Sequence, residues 1–122
     1  MENMYMTSMF YSEPAFFEAW QRGAAIAGAR FFGDGQTDPA AARDKSALAP
    51  RVEDIEETIG VLSSGEAVFL AALVAFYDAD TGGRLLQVAL RRPVSGLADI
   101  AAGLDEPRRR VIADLLVSYP GW

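Results

Sequence analysis

From Gly65 to Tyr77 the chain reads GEAVFLAALVAFY, its most uniformly apolar stretch. Ser63 stands three residues before Glu66, the spacing at which a serine hydroxyl and a glutamate side chain each satisfy a free backbone N–H at a helix start. The pattern therefore predicts a helix from Ser64 to Tyr77. Phe69, Leu73 and Phe76 fall on one face of it, Leu70, Val74 and Tyr77 on an adjacent face. Ala67, Ala71 and Ala75 form a third row, small enough to let another backbone approach. A helix apolar on every side must be enclosed by protein or by lipid. The run from Ala67 to Tyr77 is far short of the ~20 residues a membrane span needs, and it is followed by Asp78 and Asp80. The rest of the chain is therefore expected to wrap it. Burying its larger side chains, at roughly 1.5 to 3 kcal/mol each, contributes on the order of 10 to 20 kcal/mol before chain entropy is set against it.

Elsewhere the periodicity predicts further helices. Ser12, Glu13 and Pro14 form a helix start, with Phe16, Trp20, Ala24 and Ala27 along one face of a helix running to about Arg30; Phe31 and Phe32 anchor its exit. Asp38 and Pro39 cap a short alanine-rich helix that ends before Pro50. Val52, Ile55, Ile59 and Leu62 mark the apolar stripe of a helix from about Arg51 to Leu62. DADTGG, from Asp78 to Gly83, reads as a turn. Arg84 to Arg92 is short enough to suit strand or helix; the Leu86 and Leu90 spacing and the closing arginines favour helix. Ser95 caps a short helix to about Leu104, and Asp105, Glu106 and Pro107 open a last one to about Ser118. In that last helix Val111 and Leu115 form one apolar row, Ile112 and Leu116 another. The expectation is an all-α fold: one domain, residues 1–122, of five to seven helices around 64–77, with 1–11 an arm and 33–50 the least regular region. The closing Tyr119, Pro120, Gly121 and Trp122 are expected to dock back on the helices.

Composition narrows the chemistry. The chain has 122 residues, a formal charge of −6, no cysteine and no histidine. Disulfides, thiolate chemistry, a Ser-His-Asp triad and the usual zinc sites are thereby excluded. The only lysine, Lys45, follows no glycine-rich loop, so a Walker motif is absent too. MENMYMTSMF at the start lacks the basic segment and cleavage site of a secretory signal, which makes cytoplasm the expected location. No cofactor, metal or membrane contact is expected.

Two carboxylate clusters invite a chemical reading. Asp78-Ala79-Asp80-Thr81-Gly82 resembles the aspartate motif of haloacid-dehalogenase-like phosphatases. The Thr-Gly order, the lack of any lysine after Asp80 and the helix where that family has a strand depart from it. The same segment, or Asp34 and Asp38 beside Gly33 and Gly35, invites comparison with a calcium loop, but Ala89 stands where an EF-hand needs an acid. Both clusters read as surface turns, and no catalytic residue is assigned.

Two charged surfaces remain. Leu97 to Leu116, LADIAAGLDEPRRRVIADLL, resembles the helix-turn-helix of bacterial DNA-binding proteins, in which a second helix enters the major groove. That resemblance implies nucleic-acid contact through Arg108, Arg109 and Arg110. Asp105 and Glu106 stand where the motif has a glycine and an apolar residue, and are placed to neutralise the arginines; Arg110 and Asp114 are spaced for an i, i+4 ion pair. The second surface is Glu53, Asp54, Glu56 and Glu57, which would suit a basic protein partner. The half from Leu62 to Trp122, with LSSGE, FYD, GGRLL and SYPGW, is similar to short uncharacterised proteins of bacterial mobile elements, which implies an accessory role. The expected function is thus non-enzymatic: binding another protein through the acidic helix or an apolar groove, as an inhibitor or adaptor. DNA binding is the alternative, and a homodimer is compatible with either.

Overall fold

The computed structural model describes residues 13–93 and 96–122. The described residues form an all-α bundle of six helices: α1 Glu13–Ala27, α2 Val52–Thr58, α3 Ser64–Tyr77, α4 Ala79–Leu90, α5 Leu97–Ala102 and α6 Glu106–Ser118. The expected arm at 1–11 and the capping roles of Ser12 and Ser95 lie outside the described residues. None of the described helices is long and apolar enough to cross a membrane.

The axis of the bundle is α3. At its start Ser63 Oγ accepts from the Glu66 backbone N–H at 3.4 Å, and the Glu66 carboxylate accepts from the Ser63 backbone N–H at 3.1 Å. Ser63 Oγ also donates to that carboxylate at 2.8 Å, and this hydroxyl, with the Ser63 N–H second, holds the Glu66 pKa below its usual value. Every residue from Ala67 to Val74 is buried, with Phe69 and Leu73 at 0% exposure. The helix emerges only at its end, where Phe76 is half-buried and Tyr77 is exposed.

The segment after α3 departs from the expected turn. Asp78 is at once the last cap of α3 and the first of α4: its N–H donates to Val74 at 2.8 Å, and its carboxylate accepts from the Asp80 N–H at 3.2 Å and the Thr81 hydroxyl at 2.9 Å. ADTGG is therefore helical, and α4 begins five residues before Arg84. The glycines permit this, because a Cβ at Gly82 would fall on the Cα and N of Ala75 and lie 2.5 Å from its Cβ. The small-residue row of α3 thus receives the backbone of α4. At the far end Arg91, with φ 59°, stops α4 in a left-handed cap.

Around this hairpin, α1 runs antiparallel to α6. Phe16 meets Tyr119 at one end with ring centroids 5.8 Å apart, Arg22 pairs with Asp114 at 2.5 Å, and Gly23 lies between Leu73 and Val111. Gly28, with φ 123°, ends α1 slightly before the expected Arg30, and Phe31 and Phe32 are buried beyond it. The alanine-rich region is not one helix. It holds two 3-10 turns, Pro39–Ala41 and Lys45–Leu48, each capped by an aspartate, Asp38 and Asp44. Because 3-10 turns are short and their hydrogen bonds poorly aligned, these pieces depend on tertiary pins. Phe32 bridges Pro50, Arg51 N–H donates to Phe31 at 2.8 Å, and the buried Trp20 Nε1 donates to Leu48 at 2.9 Å. The expected helix to Leu62 relaxes after Thr58 into a 3-10 turn, Ile59–Val61.

The C-terminal residues dock as expected. Trp122 lies half-buried among Trp20, Tyr77 and Phe16, with centroid distances of 4.7, 5.2 and 6.0 Å. The Lys45 ammonium sits 5.3 Å from its ring centroid and donates to the Gly121 carbonyl at 2.8 Å.

Candidate functional site

Leu97 and Leu116 carry the clearest departure from a closed core. They are 75% and 57% exposed, and both line a groove of about 400 Å³. Its floor is Ala72, Ala75 and Phe76 of α3; its walls are Leu97, Ile100 and Ala101 of α5 and Arg109, Ile112, Ala113 and Leu116 of α6. Leu104 closes the apex where the chain turns from α5 into α6. The groove exists because α6 carries two apolar rows. Val111 and Leu115 are buried in the core, whereas Ile112 and Leu116 face a space that no described helix fills. The alanines of α3 deepen it by holding side-chain volume back from the floor. An isolated exposed leucine needs no explanation, but apolar residues of three helices converging on one open cleft do.

Among the described residues Arg109 is the one charged residue that lines the groove. Its Nε and Nη2 donate to the Ala101 carbonyl at 3.1 and 2.7 Å, tying it to the last turn of α5, where a cation complements exposed carbonyls. Among the described residues no carboxylate forms an ion pair with it.

The other two arginines expected on a groove-reading face are drawn onto their own chain. Arg108 pairs with Asp105 at 2.6 Å and lies with its guanidinium carbon 5.7 Å from the Phe69 ring centroid, its Nε buried without a hydrogen-bond partner among the described residues. Arg110 pairs with Glu106 at 2.9 Å. The expected Arg110–Asp114 pair is replaced, since Asp114 turns to Arg22 across the interface with α1. Asp105 and Glu106 thus act as the neutralising acids that their positions implied.

On the acidic helix, Asp54 pairs with Arg51 at 2.7 Å and Glu56 with Arg84 at 3.3 Å. Glu53 and Glu57 stay exposed. The four acids are brought together on α2, but half of their charge is met within the chain. The remaining carboxylates have local roles. Asp34 accepts from the Thr37 hydroxyl and from the Thr37 and Gln36 N–H groups at 2.6, 2.7 and 2.9 Å, with the hydroxyl contributing most to a pKa lowered to about 2. Asp78 is lowered as well, mainly by the Thr81 hydroxyl. Among the described residues no group of three or more carboxylates is placed to hold a metal ion.

Sequence reasoning marked Ile112 and Leu116 as a second apolar row but did not place them in a site. The signal was present: a helix with one row more than an edge position can bury. Leu97 and Ala72 were legible only once α3, α5 and α6 were brought together. Comparison with protein-family models, with characterised proteins and with solved structures gives no match to this chain.

Proposed function

We propose that this protein acts by binding another protein, as an accessory or regulatory factor rather than a catalyst, and that the α3–α5–α6 groove is the surface it uses. The observation that carries this reading is the groove itself: an open cleft, apolar apart from Arg109, with Leu97 and Leu116 exposed on its rim. Desolvating such side chains against a partner is the main favourable term in protein association. The −6 charge and the exposed Glu53 and Glu57 are then features of the periphery that would steer a basic partner toward the molecule. We propose further, on the resemblance of LSSGE, FYD, GGRLL and SYPGW alone, that the role is that of an inhibitor or adaptor of a bacterial mobile element.

DNA binding through Arg108, Arg109 and Arg110 has less support, because Arg108 and Arg110 are paired with Asp105 and Glu106, which leaves Arg109 as the one member of the run that no described carboxylate neutralises.

A photo-crosslinking residue at Ala113, used in the native host, tests the proposal. The expected result is one predominant crosslinked protein that is lost in Leu97→Asp and Leu116→Asp and retained in Glu53→Gln with Glu57→Gln. A partner lost only with the glutamate changes would move the contact to α2. Retention of duplex DNA at low salt, falling steeply as salt rises and abolished by Arg108→Gln with Arg110→Gln, would replace the proposal with the DNA reading.

A further inference from the structure

We infer that the occupant of the groove is an amphipathic helix of the partner protein that carries one acidic residue, placed to pair with Arg109 about two helical turns from the apolar side chain it seats beside Leu116. This rests on the protein-binding reading above and specifies what the partner presents.

Three observations converge on a helix. The groove is bounded by helices on three sides, α5, α3 and α6, and no described residue closes the fourth, so a further helix would complete the packing that the second apolar row of α6 leaves unfinished. Its lining along α6 runs from Arg109 to Leu116, seven positions and so about 10 Å at helical rise. That length takes side chains at i, i+3 or i+4, and i+7, the anchor spacing of helix-in-groove recognition. The small floor residues Ala72 and Ala75 let an incoming backbone approach closely.

The acidic residue follows from Arg109. Its guanidinium spends Nε and Nη2 on the Ala101 carbonyl, which fixes it at the apex end of the cleft, and no described carboxylate neutralises it. A helix lying in the groove would remove water from one side of that charge. A purely apolar occupant would leave the cation poorly solvated, whereas a glutamate or aspartate would answer it and fix the register of the helix in the cleft.

A second copy of this chain fits less well. Its exposed large apolar side chains outside the groove and its α6 rim are Ile26, Val61, Tyr77, Val88 and Tyr119 among the described residues. They stand singly on different elements, so none of the other described helices offers an exposed apolar row to fill the cleft.

The test is a selection from a displayed library of 16-residue helical peptides, apolar at i, i+3, i+4 and i+7 and randomised elsewhere, against the full chain. The expected outcome is a set of binders competed by one another, weakened at least tenfold by Leu116→Asp, and enriched in Glu or Asp at a single register position. For a chosen binder, Glu→Gln in the peptide should cost about threefold to tenfold, and the same change should cost nothing against Arg109→Gln. Circular dichroism of Leu116→Asp and Arg109→Gln establishes that both remain folded. Binders with no acidic preference, or an acidic preference that persists in Arg109→Gln, would overturn the inference while leaving the protein-binding reading intact. Sedimentation showing a dimer that Leu116→Asp dissociates would overturn it in favour of a second copy. Saturable binding of dodecanoate that excludes every peptide would overturn it in favour of a small amphiphile. Absence of any predominant host crosslink from Ala113 of the parent chain is the separate failure, that of the reading itself.

Discussion

Gly82 and Gly83 are adjacent in α4, yet alanine should have opposite effects at the two positions. In a helix interior alanine is favoured over glycine by about 0.8 to 1 kcal/mol. At Gly83 nothing lies within 4 Å of the added methyl, so Gly83→Ala should be stabilising by about 0.5 to 1 kcal/mol. At Gly82 the methyl would overlap the Cα and N of Ala75. Those atoms belong to the backbone of the buried helix α3 and cannot swing aside as a side-chain tip would. Overpacking of a core typically costs about 1 to 3 kcal/mol, and a backbone obstacle places this case at the upper end. After the propensity gain is subtracted, Gly82→Ala should be destabilising by about 2 kcal/mol. Urea unfolding followed by far-ultraviolet circular dichroism measures both: the midpoint should fall for Gly82→Ala and rise for Gly83→Ala at unchanged m-value, separating the variants by about 2 to 3 kcal/mol. If Gly82→Ala were as stable as the parent, α4 would not approach α3 as closely as described, and the account of the hairpin would fall with it.

Two further outcomes follow from the C-terminal residues and from the caps. Trp122→Ala should be destabilising by about 2 to 3 kcal/mol, since it removes the ring contacts that Phe16, Trp20 and Tyr77 make with a half-buried tryptophan and the Lys45 ammonium's contact with that ring, and the near-ultraviolet dichroism of tryptophan should in parallel weaken to what the buried Trp20 alone contributes. The lowered pKa values of Asp34, Glu66 and Asp78 all have one sign: the unfolded chain binds these protons more tightly, so the stability they contribute is present above the ordinary carboxylate range and lost as pH falls through the folded values. For Asp34 the window lies between about 4 and about 2. Asp34→Asn should therefore unfold more easily than the parent at pH 7, with the difference narrowing toward pH 2 in urea titrations.

Where local chemistry and burial agreed, the sequence was readable. Ser63 and Glu66 announced α3 to the residue, and the uniform apolarity that followed could only mean enclosure. Asp105, Glu106 and Pro107 likewise marked the start of α6, with Val111 and Leu115 turned inward. The errors arose where one residue type serves two structures. Aspartate and glycine at 78–83 are turn formers in isolation. Here Asp78 caps a helix, and Gly82 is demanded by the proximity of the Ala75 backbone, a contact that only the packing of α4 on α3 reveals. The alanine-rich stretch at 39–49 had helical propensity, yet Gln21 holds it at Pro39, and Trp20 at Leu48 and the Phe32–Pro50 bridge hold its other end, so tertiary pins overrode propensity. The groove needed knowledge of which apolar row is left over once α1, α3 and α6 have met.

None of the residues of α5 is fully buried. One wall of the cleft is therefore tethered chiefly by Ile100 against the core, the Arg109 clamp on Ala101 and the Arg92–Asp99 pair at 2.8 Å. Elements with so few enclosed contacts open at small energetic cost. Amide exchange should be fastest there while α3 stays protected, and the cleft can widen or narrow on one side without disturbing the bundle. Under the proposed binding role, a wall held so lightly would tolerate occupants of differing girth.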